Sequence, residues 1–156
     1  KRDAEFLRRQ VHPKTLLHLD SRGIKYYEEG KFHGDVNIRN CIRLGHCHFI
    51  HGVTVSKHAA SQTLNMFSAN VVYGHTHRAD SSSKRTVRDD VVCAWNPGCL
   101  CDKQPHYRRT VLTDWSHGYA IQSVNPDGTF MHIQVPILRK EGQCYSYMEA
   151  LVGENL

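Results

Sequence analysis

No run of apolar residues in this chain approaches the roughly 20 needed to cross a bilayer, which argues against a membrane-spanning helix. A signal-peptide pattern is also missing, and because the first residue is Lys1 rather than Met, the chain is expected to continue upstream. The six cysteines (Cys41, Cys47, Cys93, Cys99, Cys101 and Cys144) contain no Cys-x-x-Cys pair. At 156 residues the chain does not need disulfide staples, so reduced thiols and a cytoplasmic location are expected. Neither sign of charge dominates. Lysine plus arginine number 20 against 15 aspartates and glutamates, a net +5 that would attract phosphate-bearing ligands without requiring nucleic acid. There is no internal repeat.

What is present fits a single globular α/β domain over residues 1–156, with 40 % hydrophobic and 22 % charged residues. Lys1 to Gln10 reads as the tail of an amphipathic helix that Pro13 ends. Leu16 to Leu19 forms a further helical turn stopped at Gly23, and Ile24 to Tyr27 a short strand. Ile38 to Leu44 and His48 to His51 are expected strands on either side of Gly45. Ser56 is placed as the N-cap of a helix whose inner face carries Ala60, Leu64 and Phe67. Val71 to Tyr73 reads as a buried strand. Asp80 to Arg85 reads as a polar connection, followed by strands near Thr86-Val87, Val91 to Trp95, Gly118 to Val124 and Thr129 to Val135. Asp127-Gly128 marks a hairpin between the last two.

The chemistry concentrates where apolar strands end in histidine and glycine. Phe49-Ile50-His51-Gly52 is one such end, and Val71-Val72-Tyr73-Gly74-His75-Thr76-His77 is another. Neutral imidazoles suit transition metals, and α/β sheets gather ligands at strand ends. Glycines at 52 and 74 let the backbone turn sharply so that the side chains reach inward.

These stretches resemble the calcineurin-like metallophosphoesterases of the phage and bacterial type. The likeness includes Val55-Ser56-Lys57-His58-Ala59, the continuation to Arg78, and Trp95-Asn96-Pro97-Gly98-Cys99-Leu100, and spans about residues 24 to 135. It implies a four-layer α/β/β/α sandwich, of which this chain is the C-terminal half. It further implies a two-metal site in which His51 and His75 bind one ion and His77 the other, with manganese, iron, zinc and nickel all admissible. The implied activity is phosphoester hydrolysis, as a phosphomonoesterase or a phosphodiesterase. Lys57 and His58, in the first turn of a helix whose positive end faces the site, and Arg78, after the last ligand, are the candidate phosphate-binding residues.

The family's Asp-x-His, Gly-Asp and Gly-Asn-His-Asp/Glu motifs do not occur here. Gly34-Asp35 and His18-Leu19-Asp20 do not replace them, the first by position and the second by order. Three neutral imidazoles cannot offset the repulsion of two close divalent ions. The missing carboxylates, asparagine and acid are therefore expected from an N-terminal half, in cis or in trans, and this chain alone is expected to be inactive. The alternative expectation is a non-catalytic remnant that binds a partner or nucleic acid through its basic surface. A third is a mononuclear zinc module. Gly45-His46-Cys47-His48 imitates the ligand motif, but His46 and His48 are expected on one strand face, opposite to that of His51. Cys99-x-Cys101 with Cys93 has poor spacing for a zinc knuckle and reads as packed thiols.

Overall fold

The computed structural model describes residues 12–28, 30–33, 37–105, 112–140 and 143–146. The expected helix over Lys1 to Gln10 and the Gly34-Asp35 step lie outside them. The chain divides into two compact units, Lys1–Asn40 and Cys41–Leu156.

In the first unit a single-turn helix, α1, spans Pro13–Leu16. Pro13 opens this helix. At the first helical position its fixed φ is already correct and its missing N–H has no intrahelical partner to lose. His12 is the N-cap, its Nδ1 accepting from the Lys14 amide at 3.3 Å. Leu17 to Gly23 continues as turns. The expected strand at Ile24 to Tyr27 does not form. Tyr26 packs edge-on to His12 at 5.2 Å and Tyr27 to His33 at 4.9 Å, so these side chains are held by ring contacts and not by a ladder.

The second unit is built on a mixed five-stranded sheet. Its strands are β1 (Cys41–Leu44), β2 (Cys47–Ile50), β3 (Asn70–Tyr73), β4 (Ala79–Arg85) and β5 (Val91–Pro97), in the order β1-β2-β3-β5-β4. β2, β3 and β5 run parallel, while β1 and β4 are antiparallel edges. The crossover from β2 to β3 carries helix α2 (Ala59–Phe67). Its Ala59, Ala60 and Leu64 bury against Val71, Tyr73, Val92 and Ala94, with Ile50 and Phe67 at the margin. Burying a leucine such as Leu64 is worth about 2–3 kcal/mol. The helix starts two residues later than expected. His58 is its N-cap, and Ser56 Oγ instead accepts from the His58 amide at 3.2 Å and donates to Gln62 Oε1 at 2.7 Å.

A second sheet, β6 (Gly118–Val124), β7 (Phe130–Lys140) and β8 (Gln143–Ser146), is antiparallel throughout. It covers the face of the first sheet opposite α2. Trp95 of β5 stacks on His132 at 4.5 Å and meets Phe130 edge-on at 6.0 Å. The expected hairpin at Asp127-Gly128 is present, with Gly128 at φ 87°. The Gly128 carbonyl accepts from the His46 amide, docking the β1–β2 turn on this hairpin.

β4 is the strand that hydrophobicity does not announce. Its exposure alternates strictly, but the half-buried positions are polar. Asp80 Oδ2 accepts from the Ala60 amide at the start of α2 at 3.3 Å and from the Tyr73 hydroxyl at 3.4 Å. Lys84 Nζ donates to Asn65 Oδ1 and Ser68 Oγ at the far end of α2. An edge strand that meets a helix through polar pairs shows the two-residue period without the apolar content that normally reveals it. Thr86-Val87, expected as a strand, is the turn into β5: the Thr86 amide donates to the Asp90 carbonyl, and Val87 is fully exposed.

Candidate metal centre

Parallel pairing brings the two histidine-bearing strand ends together. In the β2–β3 ladder Ile50 is level with Tyr73, so His51 and Gly74 leave the sheet side by side. The Gly74 amide then donates to the His51 carbonyl at 2.9 Å. The next loops cross closely: a Cβ on Gly52, whose φ is 101°, would lie 3.0 Å from the Gly74 carbonyl oxygen and 3.3 Å from His75 Cβ. Only a glycine accommodates both that conformation and that approach.

Beyond the crossing, His51 Nε2 and His75 Nδ1 are 3.0 Å apart, with ring planes at 75°. Both side chains are exposed. Two imidazoles that bind one cation at about 2.1 Å in adjacent octahedral positions need a nitrogen separation of about 3.0 Å. The separation suits either an N–H···N hydrogen bond between the rings or one shared ion. His75 holds φ 73° and His77 φ 58°, left-handed conformations in which a side chain costs on the order of 1–2 kcal/mol.

Asn96, at the end of β5, fixes this turn. It is fully buried; its Nδ2 donates to the Gly74 carbonyl at 3.1 Å and to Thr76 Oγ1 at 2.8 Å, while its Oδ1 accepts from the Gly98 amide at 2.9 Å. Asn96 appears in the sequence as part of the Asn96-Pro97-Gly98 stretch, but its positioning role follows only from the β3–β5 pairing.

His77 is drawn elsewhere. Its ring meets Trp115 edge-on at 4.2 Å, and its Nδ1 lies 3.4 Å from Cys101 Sγ. Ligand atoms of His77, Cys99 and Cys101 all lie within 4.8 Å of one another, the one such group of three or more among the described residues. No aspartate or glutamate among the described residues joins His51, His75 or His77 in such a group. Among the described residues the implied two-metal centre thus finds an imidazole pair and one further imidazole, with no carboxylate grouped with them.

The candidate phosphate-binding residues divide as well. Lys57 and His58 are exposed ahead of α2, and the His58 side chain makes no capping bond. Arg78 is committed: its Nη1 pairs with Asp114 at 2.5 Å, and its Nη2 donates to the carbonyls of Ser56 and Lys57. The bond to Asp114 raises the guanidinium pKa still further. Tyr73 is pushed well above the usual phenol range by burial and then by the Asp80 carboxylate, so it stays a donor. The Cys99 thiol is pushed up by burial and by its hydrogen bond with Cys101.

His46 and His48 do not share a strand face. The His48 ring tilts onto Phe67 of α2 at 5.7 Å, whereas His46 lines an open cleft of about 390 Å³ with Trp95, Phe130 and His132 on the other side of the sheet. His46 sits in the β1–β2 turn, where strand alternation no longer applies. Comparison with protein-family models, curated proteins and solved structures finds no match to this chain.

Proposed function

We propose that this chain is the C-terminal half of a metal-dependent phosphoester hydrolase with the four-layer sandwich of the calcineurin-like metallophosphoesterases. The observation that carries the reading is the His51–His75 pair at the ends of adjacent parallel strands, held at 3.0 Å on a turn strained at His75. The layering of α2, the mixed sheet and the second antiparallel sheet is consistent with it.

In this reading His51 and His75 hold one divalent ion and His77 turns toward a second. Such a pair of ions would lower the pKa of bound water and absorb the oxyanion charge at phosphorus. The chain's own contribution is positional: Asn96 fixes the Gly74–His77 turn, and Gly52 admits the close crossing. Lys57 and His58 stand free to meet phosphate oxygens, and Arg78 ties the loop before α2 to Asp114. Val53 and Val55, more than 70 % exposed on the loop that follows His51, suit a wall that another segment completes. The carboxylates come from that segment.

The experiment is hydrolysis of a chromogenic phosphodiester and phosphomonoester with manganese. The natural full-length protein that carries this segment is compared with its His51→Asn and His75→Asn variants, and with residues 1–156 alone. The expected result is turnover by the full-length protein, a loss of at least about ten-fold in each variant, and none from residues 1–156. Absence of turnover in the full-length protein, or turnover indifferent to both histidines, overturns the reading in favour of a binding module. Robust turnover by residues 1–156 contradicts completion from outside.

A further inference from the structure

We propose that His77, Cys99 and Cys101 form a binding site for a zinc-class divalent cation, held by two thiolates and one imidazole with the fourth position open to water or an external donor. A tetrahedral zinc ion with sulfur at about 2.3 Å and nitrogen at about 2.0–2.1 Å needs nitrogen–sulfur separations of about 3.6 Å and a sulfur–sulfur separation of about 3.8 Å. His77 Nδ1 and Cys101 Sγ are 3.4 Å apart, and the whole set lies within 4.8 Å. Small side-chain rotations close the remainder.

The backbone assembles this trio without help from the metal. In the antiparallel β4–β5 ladder Ala79 is level with Pro97. Two residues outward on each strand stand His77 and Cys99, so the open end of the hairpin brings them to the same end of the sheet. The segment 116–118 then binds all three. The Ser116 amide donates to the His77 carbonyl at 3.0 Å, and the Cys99 amide to the Ser116 carbonyl at 3.0 Å. Gly118 donates to the Cys99 carbonyl at 3.2 Å, and His117 Nε2 bonds the Cys101 carbonyl at 2.7 Å. Gly98, at φ 97°, makes the turn; a Cβ there would lie 2.4 Å from the Ser116 carbonyl oxygen. The ligands are thus preorganised on three tied segments, as a metal site requires.

Two thiolates neutralise a divalent charge, and sulfur ligands favour zinc or cobalt over manganese or magnesium. The site is independent of the phosphoester reading except that both use His77, so filling it would withdraw that imidazole from a second hydrolytic metal.

The test is a cobalt titration of the reduced, metal-free 156-residue chain followed by absorption. Expected is one cobalt ion per chain with a sulfur-to-cobalt charge-transfer band and the intense visible bands of tetrahedral coordination, both lost on adding zinc. Cys99→Ser and Cys101→Ser should lower cobalt affinity at least about ten-fold and diminish the charge-transfer band. Cys101 is exposed, so its variant should keep the parent melting temperature in the metal-free state. His51→Gln, which breaks only the imidazole pair, should leave the band unchanged. Absence of the band in the parent, or its full persistence in Cys101→Ser, overturns the proposal. Loss of the full-length protein's phosphoesterase activity in His51→Gln, with the cobalt band of the 156-residue chain intact in the same variant, bears on the hydrolytic reading alone.

Discussion

Replacing Asn96 by alanine should loosen the histidine turn and the cysteine loop together, because one fully buried amide holds both. The substitution removes three hydrogen bonds at 2.8–3.1 Å and leaves the Gly74 carbonyl, the Thr76 hydroxyl and the Gly98 amide without that partner. At about 1 kcal/mol net per bond the loss is about 3 kcal/mol. For a unit of this size that corresponds to a fall of about 10 °C in melting temperature. Urea denaturation measures the first figure and a thermal melt the second. Amide hydrogen exchange adds a local reading: the Gly98 amide, which donates to Asn96 Oδ1, should exchange faster in Asn96→Ala. In Asn96→Asp that acceptor survives, so Gly98 should stay protected while the Gly74 side of the turn loosens. A loss below about 1 kcal/mol in Asn96→Ala, with Gly98 exchange unchanged, would refute the reasoning.

Gly52→Ala should cost about 1–3 kcal/mol, since φ 101° is unfavourable for a side chain and its Cβ would press on the Gly74 carbonyl; denaturant titration checks it, and the imidazole pair should part in the same variant. His132 should make stability fall as pH drops. Burial lowers its pKa below the usual histidine range, its Nδ1 bonds Gln122 Oε1, and its Nε2 has no hydrogen-bond partner among the described residues. The unfolded chain then binds the proton more readily than the folded one. Stability is complete above the ordinary histidine pKa of about 6.5 and is lost as pH falls through that value toward the lowered one. His46 and Cys93 line the same cleft, so the measurement is the difference between the parent and His132→Gln across that window, where a flat difference would contradict the assignment.

Much of the sheet was legible because β2, β3 and β5 carry short apolar runs that only strands covered on both faces need, and because Asp127-Gly128 states its hairpin. The His51–His75 convergence was legible for the same reason: parallel strands of known polarity bring their ends to one edge. β4 was not, since its inner face meets α2 through Asp80 and Lys84 and not through apolar contact. The strand expected at Ile24 to Tyr27 was not legible either, because its tyrosines are held by ring contacts with His12 and His33 and not by a ladder. The His77–Cys99–Cys101 grouping was not legible, because sequence spacing sets Cys99 and Cys101 beside Cys93 and not beside a histidine. The third member, His77, arrives only through the β4–β5 register, which depends on recognising a strand that hydrophobicity hides. Asn96 stands in the Asn96-Pro97-Gly98 stretch with no sign of its role, since an asparagine's partners are set by tertiary pairing.

The sharing of one cation by His51 and His75 is tested most directly by manganese titration of isotopically labelled chain, with the imidazole NMR resonances followed one by one. Paramagnetic broadening of His51 and His75 should appear together at the same manganese concentration, and His75→Asn should abolish it at His51. Broadening of one imidazole without the other, or broadening at His51 that persists in His75→Asn, would contradict the shared site.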